Sequence, residues 1–302
     1  MVQQSQTTTQ EAPTGIDLYT KVARESSSVV ISQYSTSFGW ATNLLPEPVR
    51  GKIKDIYALV RVADEIVDGS AAAANGAQKI NIRKQLDALE GEVYAAMKVG
   101  FSTNLVVHAF ALTANETGIT KAIIEPFFTS MRMDITKAKH TPKTFKDYVY
   151  GSAEVVGLMC LRAFISDREA QYSPAEKEAL DQGALALGAA FQKINFLRDL
   201  EADFRALGRS YFPGVTVETF NEEQKQFLVD DIAADLIVAA NSIRLLPKDV
   251  RPAVSAAQFL FQELTTKVAA TPAEVLIATR IRVSNPRKLV LVAKALLGVT
   301  PK

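Results

Sequence analysis

The chain has 302 residues, of which 48% are hydrophobic and 22% are charged, so it can bury a substantial core. Its 34 basic and 33 acidic residues nearly balance, which argues against nucleic acid as a partner, because that function usually needs a clear basic excess. A lone cysteine, Cys160, excludes an internal disulfide and favours a reducing compartment. The two histidines belong to no Cys/His cluster, which argues against structural zinc, and we expect His108 in the core and His140 in solvent.

Neither end of the sequence has the pattern of a targeting or membrane-spanning segment. Residues 1–14 are rich in Gln and Thr and lack a basic start followed by an apolar core, so we expect a disordered tail. The run from Lys288 to Val299 is apolar, but Lys294 interrupts it and it is too short to span a bilayer. We therefore expect a cytoplasmic protein that is at most peripheral to a membrane.

From Ile16 onward, apolar residues recur at three- and four-residue spacing, while stretches of alternating polarity are scarce. This pattern predicts an all-α chain, with Pro and Gly residues marking the boundaries between helices. No long linker and no repeat divides the sequence, so we expect one domain over residues 15–302. The lack of a strand pattern and of Gly-rich nucleotide motifs argues against Rossmann and TIM-barrel architectures. The predicted helices span residues 16–33, 48–68, 77–98, 103–117, 121–137, 144–166, 174–204, 222–243, 248–269, 272–281 and 285–298.

The predicted helix 48–68 carries a narrow polar stripe. At 100° per residue, Tyr57, Arg61, Asp64 and Asp68 fall within roughly 60° of one another. The rest of its surface from residue 56 onward is apolar except for Glu65. A helix that is apolar on nearly all sides is a buried helix, so we expect the stripe to line an internal cavity.

A second stripe ends the predicted helix 174–204. Here Gln192, Asn195, Asp199 and Asp203 lie within about 80° of one another, with Arg198 alongside. Like the first stripe, it ends in two aspartates four residues apart. Two such stripes on otherwise apolar helices are far more specific than one Asp-x-x-x-Asp sequence, which is often only a solvated helix face.

The residue types of both stripes indicate divalent-metal chemistry. Two carboxylates one helical turn apart repel each other and are costly to bury. Mg²⁺ resolves this, because it prefers oxygen ligands and commonly binds one or two carboxylates together with waters and a substrate phosphate. Arg61 and Arg198 could bind diphosphate oxygens in bidentate fashion. The alternative, two buried salt-bridge clusters, leaves four aspartates with few cations, so we predict a Mg²⁺ site, with Mn²⁺ as the alternative ion.

These stripes belong to an ordered series of motifs. The series consists of Tyr34-Ser35-Thr36-Ser37-Phe38, the runs 56–68 and 148–157, the block Gln192-x-x-Asn195-Phe196-Leu197-Arg198-Asp199-x-x-x-Asp203, and Gly208-Arg209-Ser210-Tyr211-Phe212-Pro213. From about Ile31 to Leu297, the chain resembles the squalene/phytoene synthase family, the head-to-head branch of all-α isoprenoid synthases, and within it the bacterial phytoene synthases. The resemblance implies a single-domain isoprenoid synthase helical bundle around a central cavity.

The resemblance also implies roles for individual residues. It assigns catalytic roles to Tyr57, Arg61, Tyr148 and Arg198. It assigns binding of the diphosphate and prenyl chains to Ser35, Ser37, Gln192, Arg209 and Tyr211. It assigns metal binding to Asp64, Asp68, Asn195, Asp199 and Asp203.

Several of these residues have a purely structural alternative. The alternatives are helix capping for Ser35 and Ser37, a core position with a satisfied hydroxyl group for Tyr57 and Tyr148, a buried amide network for Gln192 and Asn195, and a surface charge for Arg209.

Some positions depart from the family pattern. Glu154 replaces a small Gly, and Lys54 replaces a bulky aromatic residue. Both bear on the shape of the pocket and therefore on the length of the substrate. A late arginine that serves the site could be either Arg280 or Arg282.

The activity that the resemblance implies is head-to-head condensation of two prenyl diphosphates through a cyclopropyl diphosphate. The resemblance to bacterial members implies that two geranylgeranyl diphosphates give phytoene with release of diphosphate. Ala41 and Thr42, small or modest residues near the family's cavity entrance segment, also favour a deep pocket. The alternative is a squalene or dehydrosqualene synthase that uses farnesyl diphosphate, with NADPH required only for squalene. A different class of function is a non-catalytic family member that acts as an assembly partner. The oligomeric state stays open.

Overall fold

The computed structural model describes residues 15–35, 37–68, 81–136, 139–200 and 210–301, with only the backbone of Ser37 and Phe38. The predicted tail, residues 1–14, lies outside the described residues. The same holds for two predicted site residues, Asp203 and Arg209, and for the side chain of Ser37.

The described part of the chain is helical, and its only β-type pairing is an isolated bridge between Lys139 and Ser210. A π-helical turn, Tyr150–Glu154, joins the helix Pro142–Val149 to the helix Val155–Ile165 without a break, and a 3-10 helix, Ser166–Gln171, follows. The α-helices are α1 (Gly15–Tyr34), α2 (Ser37–Thr42), α3 (Val49–Asp68), α4 (Ile82–Val99), α5 (Leu105–Thr117), α6 (Lys121–Thr136), α7 (Pro142–Val149), α8 (Val155–Ile165), α9 (Pro174–Arg198), α10 (Glu222–Ile243), α11 (Arg251–Ala270), α12 (Ala273–Leu276) and α13 (Asn285–Leu296).

The all-α prediction is confirmed, and the deviations are local. The short helix α2 was not predicted, because six residues are too few to show a helical period. The predicted helix 272–281 is reduced to the single turn α12. The predicted helix 174–204 ends at Arg198, and Asp199 leaves helical geometry at φ −104° and ψ 12° while its amide still donates to the Asn195 carbonyl.

Capping side chains explain where two helices begin. The Thr141 hydroxyl accepts from the Thr144 amide, and Pro142 occupies the first turn, so α7 starts two residues earlier than predicted. Asn81 caps α4 in the same way, by accepting from the Lys84 amide. The apolar period identifies the middle of a helix, whereas these capping residues determine the residue at which it begins.

The apolar interior forms two clusters. One is built around α3, α4, α5, α6 and α8, and the other around α7, α9, α10, α11 and the C-terminal segment. Leu44 and Leu187 pack against both clusters, so the two are continuous in the middle of the molecule.

Glycines let α9 pack unusually close to its neighbours. A Cβ atom on Gly157 would lie 2.3 Å from the Ala184 carbonyl oxygen, and one on Gly188 would lie 2.5 Å from that of Ala153. A Cβ on Gly183 would lie 1.8 Å from the Ser242 hydroxyl oxygen on α10. These pairings place α8 and its π-helical turn antiparallel to α9.

One described helical stretch, Pro142–Gln171, is long and apolar enough to cross a membrane by length and composition alone. Its buried side chains include Val155, Met159 and Ile165, each at most 1% exposed. Packing in the core therefore accounts for the apolar character of these positions.

Candidate active site

An apolar cavity of about 240 Å³ follows one face of α9. Its lining on this helix begins at Gln192 and continues to Leu180, which at 1.5 Å per residue is a length of about 18 Å. Cys160 and Phe164 on α8 and Ser242 on α10 line the end near Leu180. The cavity is therefore elongated, with Gln192 at one end and only small or apolar groups at the other.

Polar residues continue α9 beyond the Gln192 end of the cavity. Asn195 is half-buried one turn further on, and Arg198 and Asp199 follow. The Arg280 guanidinium donates Nε to Asp199 Oδ1 at 2.8 Å and Nη2 to Oδ2 at 3.2 Å, while Arg198 donates Nε to Oδ1 at 3.1 Å. Two guanidinium groups thus surround one carboxylate, an arrangement that can also hold phosphate oxygens.

This geometry decides between the two late arginines. Arg280 lies in the non-helical segment after α12 and reaches Asp199, whereas Arg282 is exposed and its carbonyl accepts from Lys267. The contact joins residues 81 positions apart, so no local pattern in the sequence could have identified it.

The stripe on α3 lies where the helical period predicted, and two contacts organise it. The Arg61 guanidinium forms an ion pair with Glu65, the residue that interrupts the apolar surround, and lies 4.4 Å above the centre of the Tyr34 ring. Its Nε is buried and makes no hydrogen bond within the described residues. Arg61 is therefore held in place by its outer nitrogen and its flat face.

Ser35 and Tyr57 meet beside this stripe. Burial raises the pKa of Tyr57, while a hydrogen bond with the Ser35 side chain and the charge of Arg61 act in the opposite direction. Lys54 and Ser35 line a neighbouring recess of about 290 Å³ that shares Thr42 with the apolar cavity, and neither Lys54 nor Ser35 lines the cavity itself. The lysine that departs from the family pattern therefore does not narrow that cavity.

Carboxylates concentrate at the end of the α3 stripe. Burial raises the pKa of Asp64 to about 8, with the charges of Asp68 and Asp134 acting in the same direction and Arg61 opposing them. A hard divalent cation would relieve this repulsion, so the oxygen donors present fit Mg²⁺. No three acidic, His or Cys side chains among the described residues form a preformed metal cluster, and the metal-binding roles of Asp64, Asp68, Asn195 and Asp199 stay predictions.

Tyr148 links the two polar stripes. Its hydroxyl donates to Asp134 Oδ2 at 2.9 Å, and its ring lies 5.9 Å from that of Phe196 on α9. Burial, followed by the charge of Asp134, raises the pKa of Tyr148 well above its ordinary value, so the phenol stays a neutral donor. With 3% of its surface exposed, Tyr148 packs as a core aromatic, and its catalytic role stays a prediction.

Asp134 was not singled out from the sequence. It lies on the face of α6 that also carries Phe127, Ser130 and Met131, all buried. The sequence showed only one carboxylate on an otherwise buried helix face. Its place in the site becomes apparent from its hydrogen bond with Tyr148 and its proximity to Asp64.

Aromatic rings stack on one another at the C-terminal end of α9. Tyr211 stacks on Phe196 with ring centres 3.9 Å apart, and its surface is 7% exposed. The His140 ring lies 4.9 Å from that of Tyr148 and 6.1 Å from that of Tyr211. The prediction of a solvated His140 is wrong: the Lys139–Ser210 bridge draws its loop under these rings, leaving it 8% exposed. His108 is buried as predicted.

Known proteins resemble the chain over most of its length. A family model described as squalene/phytoene synthase matches residues 31–287. A 15-cis-phytoene synthase from Synechococcus elongatus is 28% identical over 92% of this chain and 94% of its own length. A 4,4'-diapophytoene synthase from Staphylococcus haemolyticus is 28% identical over 68% of this chain and 66% of its own length.

The fold is similar to those of solved enzymes. A dehydrosqualene synthase in complex with ligand has a TM-score of 0.77 at 22% identity, covering 93% of this chain and 98% of that one. A squalene synthase from Alicyclobacillus acidocaldarius has a TM-score of 0.69 at 19% identity, covering 84% of this chain and 97% of that one. Together with the family match across the two polar stripes, these findings show that the chain belongs to the squalene/phytoene synthase family of prenyltransferases.

Proposed function

We propose that this chain condenses two geranylgeranyl diphosphates to phytoene, through a cyclopropyl diphosphate and with release of diphosphate. Membership of its family makes it an enzyme of head-to-head prenyl diphosphate condensation. The C20 substrate and C40 product are the proposed part. The observation that carries them is the long apolar cavity, which starts beside the polar end of α9.

The length of this cavity favours a C20 chain. The cavity lining follows α9 for about 18 Å, from Gln192 to Leu180. Three backbone bonds of an extended peptide span roughly 3.5 Å. An isoprene unit has four backbone bonds, so by the same scale it extends roughly 5 Å. A geranylgeranyl chain of four units would fill this length, whereas a farnesyl chain of three would stop short of the far end.

Two small side chains at the entrance support the same choice. Ala41 and Thr42 both line the cavity, as expected from their position after Trp40. A bulky residue at either position would reduce the volume of the cavity. The Synechococcus elongatus relative named 15-cis-phytoene synthase supports the same product class.

Mg²⁺, with Mn²⁺ as the alternative ion, would be held by Asp64 and Asp68 on α3 and by Asn195 and Asp199 on α9. The bound metal supplies electrophilic stabilisation of the departing diphosphate. The fit rests on the carboxylates crowded around Asp64, whose pKa is raised by burial and by the charges of Asp68 and Asp134.

The remaining residues bind the diphosphate and protect the cation. Arg198 and Arg280 meet at the polar end of α9, where their guanidinium groups would hold diphosphate oxygens. Phe191 lines the cavity one turn inside Asn195 and stacks on Phe261 with ring centres 3.6 Å apart. Its ring face would stabilise an allylic cation, while the apolar walls exclude the water that would quench it.

Farnesyl-based chemistry is the second candidate, because the Staphylococcus haemolyticus relative is named a 4,4'-diapophytoene synthase. A squalene product would also require NADPH. A non-catalytic assembly role is the third, and the carboxylates present at Asp64, Asp68 and Asp199 argue against it. A cytoplasmic location is part of the proposal.

Product analysis tests the proposal. The purified chain is incubated with Mg²⁺ and either farnesyl or geranylgeranyl diphosphate, with and without NADPH, and the hydrocarbons are identified by mass spectrometry. We expect phytoene from geranylgeranyl diphosphate without NADPH. Turnover of farnesyl diphosphate alone would overturn the C20 assignment, and no product from either substrate with folded protein would favour the assembly role.

The metal-binding residues provide the control. Asp64→Asn and Asp199→Asn should abolish product formation while the protein stays folded by circular dichroism. Unchanged product formation in either variant would refute the role assigned to that carboxylate.

A further inference from the structure

Helix α13 has two apolar faces, and only one of them is buried. Leu291 and Ala295 pack into the core at 6% and 1% exposure. The opposite face, hereafter the outer face, is solvent-exposed, with Leu289 at 61% and Leu297 at 83%. At 100° per residue the outer face covers roughly 120° and is centred opposite the buried pair. It consists of Leu289, Val290, Ala293, Leu296 and Leu297.

The outer face is unusual for a helix packed on a protein core. Such helices normally present charged and polar residues to solvent and keep one apolar stripe. Here the positions facing water repeat the spacing of a core stripe. A contiguous exposed apolar surface of this kind marks an interaction site.

The surrounding segment is strongly basic. Residues 272–302 contain six Lys or Arg residues and one acidic residue, Glu274, whereas the whole chain has a net charge of +1. Arg287 and Lys294 border the outer face on its Val290 side by helical position. Arg287 is partly neutralised by Glu263 at 2.8 Å, and Lys294 lies 4.1 Å above the Phe259 ring.

The buried side of α13, opposite the outer face, lies close to the apolar cavity. Trp40, which is 43% exposed, forms a small recess with Lys288 and Val292 of α13. This recess and the cavity share two wall residues, Ala41 and Ala257. Two alanines are a thin partition between the cavity and the surface next to α13.

We propose that the outer face of α13 docks on an anionic lipid bilayer. An apolar helix face bordered by Lys and Arg is the pattern of a helix that lies in the membrane interface, with its basic groups attracted to anionic headgroups. The bilayer receives the hydrocarbon product that water cannot dissolve, and this last step rests on the proposed function.

A second copy of the chain is a poorer occupant of the outer face. A two-fold interface would bring the same basic segment of both copies together, and like charges at an interface oppose association. An anionic surface complements the segment instead.

Vesicle flotation without substrate or metal tests the docking. The full chain is mixed with vesicles of one part phosphatidylglycerol to two parts phosphatidylcholine, or of phosphatidylcholine alone. We expect binding to the anionic vesicles and its loss at high salt or without phosphatidylglycerol. The double variant Leu289→Gln/Leu297→Gln should lower the partition coefficient at least about tenfold, since two large apolar side chains no longer enter the lipid.

A matched control uses exposed apolar residues far from α13. Val99 and Phe227 are 70% and 73% exposed, and Val99→Gln/Phe227→Gln should bind as the wild type does. Equal binding of the α13 double variant, or no binding by the wild type, overturns the proposal. A dimer that the α13 double variant dissociates, without vesicle binding by the wild type, assigns the outer face to a second copy.

Turnover in detergent separates this proposal from the proposed function. The α13 double variant should keep wild-type product formation there, because none of its changed residues lines the cavity. Loss of vesicle binding with retained turnover supports the docking surface, whereas absent turnover in both proteins counts only against the proposed function.

Discussion

Replacing Cys160 with Phe should shorten the prenyl chain that the enzyme accepts. Cys160 lines the cavity three residues beyond Gly157, which packs against Ala184 on α9. In this antiparallel arrangement it lies level with residue 181, about 21 Å along α9 from Asn195. At roughly 5 Å per isoprene unit, the fourth unit reaches Cys160 and the third does not. Burial raises the pKa of the thiol to about 12, so the change removes no charge.

The magnitude follows from the carbons that lose their apolar surroundings. Excluding the five carbons of the last unit costs about 4 kcal/mol at about 0.8 kcal/mol per carbon, and partial accommodation would reduce this to about 2 kcal/mol. The ratio of kcat/KM for geranylgeranyl over farnesyl diphosphate should then fall roughly 30-fold to several hundred-fold.

Competition between the two substrates measures this ratio directly. Cys160→Ala keeps the space open and should leave the preference unchanged. If Cys160→Phe folds with an unaltered ratio, or loses both activities equally, then the position of the fourth unit inferred from the cavity is wrong.

Three further predictions concern charge and packing. Asp64→Asn should abolish turnover yet raise the thermal unfolding midpoint in EDTA. Burial and the charge of Asp68 disfavour the ionised Asp64 carboxylate, and a neutral amide removes this cost. A lower midpoint would contradict this reasoning. Burial raises the pKa of Asp55 from 3.8 to about 6, although a hydrogen bond from Thr113 and the charge of Arg24 lower it. Between these two pH values the folded state binds more protons than the unfolded state, so the free energy of unfolding falls as the pH rises from about 4 to about 6. Urea unfolding should show Asp55→Asn gaining about 2 kcal/mol on the wild type between pH 4 and pH 7, and a constant difference would refute the linkage. Gly188→Ala should lower the free energy of unfolding by about 1–3 kcal/mol, because the new Cβ would lie 2.5 Å from a backbone oxygen. Gly91→Ala, in open space on α4, should raise it by about 0.5–1 kcal/mol. Equal effects of the two substitutions would contradict the close packing at Gly188.

The fold was predictable because its signals are local. A 3.6-residue apolar period and Pro or Gly boundaries are sufficient to identify α3, α5 and α9. The stripe on α3 required only the helical angle between its residues. Where the signal was weak, as in the single turn α12, contacts with other elements determined the outcome.

The rest of the site depends on contacts between distant residues. Arg280 reaches Asp199 from another element, and Asp134 meets Tyr148 across two helices. His140 is buried only because aromatic rings from two segments cover its loop. Arg280, Asp134 and His140 belong to no spacing pattern that identifies a site in the sequence, so the tertiary structure was needed to find them.

The polar end of the cavity and its apolar walls bear on different properties of the enzyme, the chemistry and the length of the substrate. The carboxylates and arginines at the ends of α3 and α9 belong to motifs shared across the family, so they identify the chemistry and say little about chain length. In the proposed function, the length limit is set by the cavity walls at Gly183, Ala184 and Cys160, which form no motif. The same small residues allow α8, α9 and α10 to approach closely and leave the space between them apolar. A change of one side chain on these walls should therefore alter substrate length without altering the ionisation chemistry.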